Sequence, residues 1–397
     1  MTAFLDALGL VCALGHGQAQ VARALFAGDC GGMQPQEGWV AGRRLPVGAV
    51  PGPLPELPLP GHQSRNNQLL YSAALQIEPA IRHAIERHGP QRVGVVLGTS
   101  TSGIAEGSDG VAQYVRTGRF PDSYDYAQQA LGAPATFLAA WLQLSGPAYV
   151  LSTACTSSAR ALLSARRLLD LGLCDAVLCG GVDTLCGLTL NGFSALEAVS
   201  AERCNPFSAN RDGINIGEGA ALFLMTRQRA GDGPGIALLG AGASCDAFHI
   251  SAPEPTGKGA LQAMGKALDN AGLTPAQIDY LNLHGTATVH NDAMESLAVH
   301  GLFGDRVPCS SSKPMTGHTL GAAGALEAAF CWLALSRHNP EGLLPPHVWD
   351  GQCDPRLPAL NLVDGSQRLP PQGPRRLMSN SFAFGGNNVS LILGDAP

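Results

Sequence analysis

Ala148-Tyr149-Val150-Leu151-Ser152-Thr153-Ala154-Cys155-Thr156-Ser157-Ser158 runs from a β-type segment through a turn of small residues into a long helical pattern. In that helix Ala159, Leu162, Leu163, Leu168 and Leu169 form the apolar face, and Arg160, Arg166 and Arg167 the polar one. Small residues on both sides of Cys155 let the backbone turn sharply and leave room for a substrate. A helix that begins at or just after the sulfur sets about half a positive charge beside it, which favours the thiolate and lowers the thiol pKa. A thiolate in that position is an activated nucleophile.

The same alternation extends in both directions. Before it, residues 1–15 read as a first strand, 48–60 as a Pro-rich surface loop, 67–88 as a helix and 92–97 as a buried strand. That strand ends in Gly98-Thr99-Ser100-Thr101-Ser102-Gly103, read as a flexible turn. After the cysteine helix come strands at 175–179 and 220–225. Gly231-Asp232-Gly233-Pro234-Gly235 is the best junction, dividing the chain into 1–230 and 231–397. The second part starts again with a strand at 236–240, a helix at 259–271 and a strand at 280–283. A helix (293–302), a strand (307–310) and a helix (320–337) follow, and runs at 377–383 and 389–393 close the chain as a hairpin. Alternating strands and helices in both parts predict α/β layers. A faint echo supports two equivalent halves: strand, Ser152-Thr153-Ala154-Cys155, small-residue helix; then strand, Ser310-Ser311-Ser312-Lys313, small-residue helix.

Composition narrows the function classes. A chain of 397 residues exceeds one small core. Hydrophobic residues at 45% and charged residues at 14% exclude disorder. The net charge of −6 argues against nucleic acid as a partner. Eleven cysteines without a Cys-x-x-Cys pair fit free thiols in a reducing, cytoplasmic setting. No apolar run is long enough to cross a bilayer, and the first residues lack the basic start of a signal peptide.

Three segments of the second half have the look of site loops at strand ends, where α/β ligand sites lie. The first is His284-Gly285-Thr286-Ala287-Thr288, followed by Asp292. The second is Lys313-Pro314-Met315-Thr316-Gly317-His318, leading to Gly321 and Glu327; the third is Phe382-Ala383-Phe384-Gly385-Gly386. Blander readings compete. A lone cysteine is more often a buried hydrophobe than a nucleophile, and Cys174, Cys179 and Cys331 are assigned to the core. His249, His290, His300, His338 and His347 read as surface or packing residues. His284 with His290 matches no zinc-ligand spacing, so no metal is expected. The 98–103 turn lacks the Gly-Lys-Ser/Thr ending of a phosphate loop.

Taken together, from Arg65 to Gly394, the chain resembles the two-histidine branch of the β-ketoacyl-(acyl carrier protein) synthases, condensing enzymes of fatty-acid and polyketide synthesis. Asn205-Pro206-Phe207, Arg211-Asp212-Gly213 and Gly217-Glu218-Gly219 match a further signature of that family. The resemblance implies the thiolase fold, with duplicated α/β/α/β/α layers. It implies Cys155 as nucleophile, His284 and His318 as the catalytic histidines, Lys313 as the branch's lysine and Glu327 as its carboxylate partner. Phe384 becomes the gating phenylalanine. The backbone N–H groups of Cys155 and Phe384 become the oxyanion hole, with Gly385 in the same turn. Thr286, Thr288 and Asp292 support the His284 loop. The reaction implied is decarboxylative Claisen condensation of an acyl thioester with malonyl-(acyl carrier protein).

The family's Gly-Phe-Gly-Gly-Thr-Asn turn reads Ala383-Phe384-Gly385-Gly386-Asn387-Asn388 here, which touches gating rather than catalysis. The details at 65–68 and 98–103 resemble synthases of aryl-polyene pigment clusters. No cofactor of the chain's own is implied, since substrates ride on the phosphopantetheine of acyl carrier protein. A homodimer, or a heterodimer with a related synthase or chain-length-factor-like subunit, is implied, with 124–144 as the contributor to the neighbour's pocket. Arg65, Arg116, Arg119, Arg203 and Lys258 are candidates for meeting the acidic carrier protein. A thiolase would need a second cysteine near the C-terminal glycine turn, where none stands. A non-catalytic partner subunit would lack Cys155. A cysteine hydrolase would not need two histidines with a lysine.

Overall fold

The computed structural model describes residues 2–229 and 235–396; the predicted junction at 231–234 lies outside the described residues. Ten strands carry the architecture. In the first half they are β1 (Ala3–Cys12), β2 (Val93–Gly98), β3 (Ala148–Leu151), β4 (Ala176–Asp183) and β5 (Gly219–Thr226). In the second they are β6 (Ile236–Cys245), β7 (Tyr280–Asn282), β8 (Pro308–Ser310), β9 (Arg376–Phe382) and β10 (Asn387–Asp395). Inward toward the centre, the first half runs β3-β2-β4-β5-β1 and the second β8-β7-β9-β10-β6, the same order in each, with the short strand Asn361–Leu362 added outside β8. The directions repeat as well. The outer three strands of each half pair in parallel, and β5 and β10 are antiparallel to their neighbours. The halves meet where β1 pairs with β6 at Ala3–Leu238 and Phe4–Ala237.

Helices fill the space between and outside the two half-sheets. The central layer holds α3 (Ser157–Asp170) and α6 (Ala323–Leu335), whose Ala159, Leu162, Ala325 and Phe330 share one core. Helix α6 is apolar on nearly every side, as a helix between two sheets must be. Its lone charged residue, Glu327, is therefore buried and needs a partner. On the outer face of the first half lie α1 (Arg65–Leu75) and α2 (Glu78–His88); α4 (Lys258–Ala271) and α5 (Val289–Phe303) cover the second. The layering is thus α/β/α/β/α. Among the described residues no helix is long and apolar enough to cross a membrane.

Two expectations need correction. The single helix at 67–88 is two helices. Pro79 has no N–H to give, and its ring would collide with the carbonyl four residues back, at Leu75, where α1 stops. The turn at 98–103 is not flexible. Thr99, Thr101 and Ser102 are fully buried, because the Asp183 carboxylate at the end of β4 gathers the polar groups of residues 99–101. The reading also placed no elements at Gly17–Phe26, Ile104–Thr117, Ala133–Leu142 or Gly187–Ala195, all helical, nor the hairpin Met33–Val40/Arg43–Gly48. That hairpin joins Ile216–Gly217 in a small sheet.

Close backbone approach fixes where α3 begins. A Cβ on Gly98 would stand 2.2 Å from the Ser158 nitrogen and 2.4 Å from the Ser157 carbonyl carbon. Gly98→Ala should therefore destabilise the protein by about 1–3 kcal/mol, as overpacking does. Gly265→Ala, mid-helix in α4 with nothing within 4 Å of the new methyl, should stabilise it by about 0.5–1 kcal/mol. Urea unfolding of both variants checks the pair, and an unchanged midpoint for Gly98→Ala would refute the packing described.

Candidate active site

Cys155 stands between β3 and α3, in a turn that bends through Ala154 at φ +52°, a left-handed value rare for a residue with a Cβ. Ser157 holds that turn closed. Its N–H and its hydroxyl both donate to the Ala154 carbonyl, at 3.0 and 2.6 Å, and its Oγ accepts from Thr153 N–H at 2.9 Å. The helix starts where the sequence placed it, but its effect on the thiol is overruled. Cys155 is buried, and loss of water pushes its pKa up to about 11. The Lys313 ammonium and the backbone N–H groups of Phe384 and Cys155 pull the other way and recover only part of that rise.

His318 faces the sulfur directly, with Nε2 3.0 Å from Sγ. Its backbone is pinned by Asn215-Ile216-Gly217: His318 N–H donates to the Asn215 carbonyl at 2.7 Å, and its own carbonyl accepts from Gly217 N–H at 3.0 Å. The Gly217-Glu218-Gly219 signature thus serves His318. Glu218 is buried, accepts from Val50 and Leu185 N–H, and is clasped by the Arg65 guanidinium. Arg65, a candidate for meeting a carrier protein, makes that pair while its side chain stays partly exposed.

His284 completes the group. Its ring lies edge-on to that of His318, with centroids 5.3 Å apart, and the Cys155, His284 and His318 donor atoms all fall within 4.8 Å. Lys313, 2% exposed, donates to the His284 carbonyl, reaches Glu327 Oε1 at 2.5 Å and lies 3.5 Å from His284 Nδ1. Both histidines are held well below their ordinary pKa, first by burial and then by the Lys313 ammonium. Burial pushes Glu327 up to about 7 against the pull of Lys313. With the ammonium donating to Nδ1, His284 carries its proton on Nε2. Three donor atoms so close have the chemistry of a zinc set, but the adjacent ammonium opposes a second cation there.

The supporting residues are placed as follows. Asp292 accepts from Ala287 N–H at 3.2 Å and Phe207 N–H at 2.7 Å, which ties the His284 loop to the Asn205-Pro206-Phe207 signature. Thr286 and Thr288 pair their hydroxyls at 2.9 Å. Phe384 lines both the inner chamber over Cys155 and the outer cleft formed by Leu196, Asp212, Thr288 and His290. Its ring meets that of Phe193 at 5.7 Å. Ala383 keeps an ordinary negative φ while Gly385 and Gly386 take the left-handed turns, so alanine fits that place without strain.

The sequence reading missed Glu295, which receives His284 N–H and Gly285 N–H at 2.7 Å each. Asp292 and Glu295 share one face at the start of α5, a spacing that could have signalled the brace. Phe193 was also missed. His347, read as a packing residue, accepts from Ser311 N–H and faces the Pro206 carbonyl, so it links two of the site loops.

Known proteins resemble this chain over most of its length. The profile of the β-ketoacyl synthase N-terminal domain matches residues 71–230, and that of the C-terminal domain matches residues 236–348. A 3-oxoacyl-[acyl-carrier-protein] synthase 2 of Rhizobium meliloti (strain 1021) is 38% identical over 275 residues, 63% of this chain and 61% of that protein. The synthase of the same name from Synechocystis sp. is 31% identical over 353 residues, 82% of this chain and 81% of its own length. Among solved structures, the ketosynthase ApeO in complex with its chain length factor ApeC, from Xenorhabdus doucetiae, superposes with a TM-score of 0.93 at 48% identity. That match covers 100% of this chain and 98% of that one. The ishigamide ketosynthase/chain length factor gives 0.86 at 26% identity, covering 100% and 99%. With a cysteine at the head of a central helix, two buried imidazoles over it, and profiles matching both halves, this chain belongs to the β-ketoacyl synthase family.

Proposed function

We propose that this chain catalyses decarboxylative condensation of an acyl thioester with malonyl-(acyl carrier protein), giving β-ketoacyl-(acyl carrier protein). The observation that carries the reading is the convergence of Cys155, His284 and His318 donor atoms within 4.8 Å, beside a buried lysine. In the first half-reaction Cys155 sulfur attacks the acyl carbonyl, and the oxyanion is received by the N–H groups of Cys155 and Phe384. The thiol proton passes by way of His318 Nε2 to the leaving phosphopantetheine thiolate. The acyl group is now on sulfur. In the second, the malonyl thioester loses CO2 and leaves an enolate, whose oxygen takes a hydrogen bond from His284 Nε2–H. His318 Nδ1 has no partner among the described residues, so either tautomer is open to it and its Nε2–H completes the pair. The carbanion attacks the acyl-cysteine carbonyl, the C–S bond breaks, and the released thiolate takes up a proton. Lys313 transfers no proton. It fixes the His284 tautomer and adds to burial in keeping both rings neutral.

The resemblance of residues 65–68 and 98–103 to aryl-polyene synthases supports placing the chain in aryl-polyene rather than housekeeping fatty-acid elongation. ApeO was solved with a chain length factor, and this chain exposes an apolar surface that could serve a similar assembly. Tyr114, Phe120 and Tyr124 stack at 4.6 and 4.2 Å, with Val115 and Tyr126 77% and 74% exposed alongside. Exposed apolar area of this kind marks an interface. We assign it to a dimer, with a second copy or a chain-length-factor-like subunit. Substrates arrive on phosphopantetheine, and no cofactor of the chain's own is required. Arg116, Arg119, Arg203 and Lys258 are exposed and, with Arg65, remain the carrier-protein candidates. Eleven free thiols fit a cytoplasmic protein.

The direct test supplies carrier protein loaded with acyl and malonyl groups, alone and with a chain-length-factor-like subunit. CO2 release and a β-keto product should appear and be lost on alkylation of Cys155. Lys313→Ala should slow decarboxylation more than acyl transfer to Cys155, and equal losses in the two half-reactions would remove its assigned role. Iodoacetamide should alkylate Cys155 of the empty enzyme about tenfold faster for each pH unit up to about 11, because the thiolate is the reactive form. Lys313→Ala should slow alkylation at any one pH by removing the charge that lowers the thiol pKa; a rate already level below pH 8 would contradict the burial argument. Val115→Asp combined with Tyr126→Asp should convert the dimer to monomers in sedimentation, and an unchanged assembly would move the interface elsewhere.

A further inference from the structure

Asp183 ends β4 and is fully buried, and its hydrogen bonds go to residues other than Cys155, His284 and His318. Six donors converge on it. Its Oδ1 accepts from Thr99 Oγ1 (2.7 Å), Ser100 N–H (2.8 Å), Thr101 N–H (2.9 Å) and Thr101 Oγ1 (2.7 Å). Its Oδ2 accepts from Ser100 Oγ (2.5 Å) and from Gly321 N–H (2.6 Å), which lies 138 residues away. Gly321 stands three residues after His318, and between them Leu320 takes φ +50°. A buried leucine in the left-handed region costs on the order of 1–3 kcal/mol and persists only where its surroundings leave no alternative. The N–H that follows Leu320 is the group Asp183 holds.

We propose that Asp183 is a positioning residue for the condensation assigned above: by holding Gly321 N–H it keeps the Leu320 turn left-handed and so sets His318 over the Cys155 sulfur. The backbone N–H and carbonyl of His318 itself are held by Asn215 and Gly217. Asp183 adds the restraint beyond them, on the turn that follows the histidine. Gly321 itself is required by the same contact, since a Cβ there would stand 2.7 Å from Asp183 Oδ2 and 2.9 Å from Ser100 N.

Asp183→Asn is the informative change. The amide nitrogen must face one of the two groups of donors. Facing the pair at Oδ2 opposes two donors rather than four, so the bond to Gly321 is the one that breaks. The full chain, with its partner subunit where activity requires one, should lose about 100-fold in kcat, the scale of a misplacement near 1 Å. KM for the malonyl carrier should hold within about twofold. The pH profile of Cys155 alkylation should shift as His318 leaves the sulfur, a readout that needs no turnover and so survives even if the proposed reaction is wrong. Thr99→Val with Ser100→Ala strips donors from the loop side but leaves the Gly321 bond, and should keep kcat within about threefold with an unshifted alkylation profile. Equal kcat losses in the two proteins would overturn the proposal. So would an Asp183→Asn protein with fewer titratable thiols but unchanged kcat per thiol. Should Asp183→Asn not fold, the double variant decides alone: retained kcat and slow exchange of the Gly321 amide support the proposal, and lost kcat overturns it.

Discussion

The Lys313 ammonium, 2% exposed and 2.5 Å from Glu327, is the constraint on which the site depends. Burying two ions costs on the order of several kcal/mol each, and their attraction offsets that only where the geometry is close and further hydrogen bonds are made. The His284 carbonyl supplies such a bond. Glu327 is placed by helix α6, which an all-apolar surface locks between the two sheets, so the pair ties the site to the rigid centre of the fold. A fixed positive charge in a dry chamber then does what a hydrated one could not. It adds to burial in keeping both imidazoles neutral, so they donate hydrogen bonds without holding a positive charge over the sulfur.

Left-handed backbone recurs at each of the loops that meet at Cys155. Ala154 precedes the cysteine, Ala287 follows His284 and Leu320 follows His318, all non-glycine and all at positive φ. Each has a dedicated restraint: Ser157 on the Ala154 carbonyl, Asp292 on Ala287 N–H, Asp183 on the N–H after Leu320. Two of the three restraints are buried carboxylates accepting from backbone N–H, a charge-assisted bond roughly twice as strong as a neutral one. The strain sits where side-chain direction matters most, and is opposed by groups that do no chemistry themselves.

This explains which parts of the site were legible in the sequence. Cys155, His284, Lys313 and His318 stand at strand ends among small residues, and strand-end loops are where α/β sites lie, so local pattern reaches them. Glu327 is conspicuous as the lone charge in an apolar helix. Asp183, and the part Glu218 plays within its signature, could not be read, because their partners include backbone N–H groups 33 to 168 residues away that every residue but proline possesses. The 98–103 turn was misjudged for the same reason. Small polar residues look like a solvent-exposed loop until the carboxylate that buries them is in view. Likewise α1 and α2 read as one helix because their apolar faces stay in phase, and only the missing N–H of Pro79 separates them.

The cysteine itself shows how a correct position led to a wrong electrostatic conclusion. A helix N-terminus contributes about 0.3–1 kcal/mol to a nearby anion, and up to about 2 in partly buried settings. One pKa unit corresponds to about 1.4 kcal/mol, so the helix alone moves the thiol by roughly one unit. Full burial moves a group by up to about 3–5 units in the opposite sense. In this chamber burial pushes the thiol pKa up to about 11, and His318 Nε2 lies 3.0 Å from the sulfur, placed to receive its proton. Charge on the sulfur is then needed only while an acyl carbonyl is present to take it up. The same balance shields the empty site, since a neutral thiol is a weak target for the oxidants and electrophiles that attack exposed thiolates.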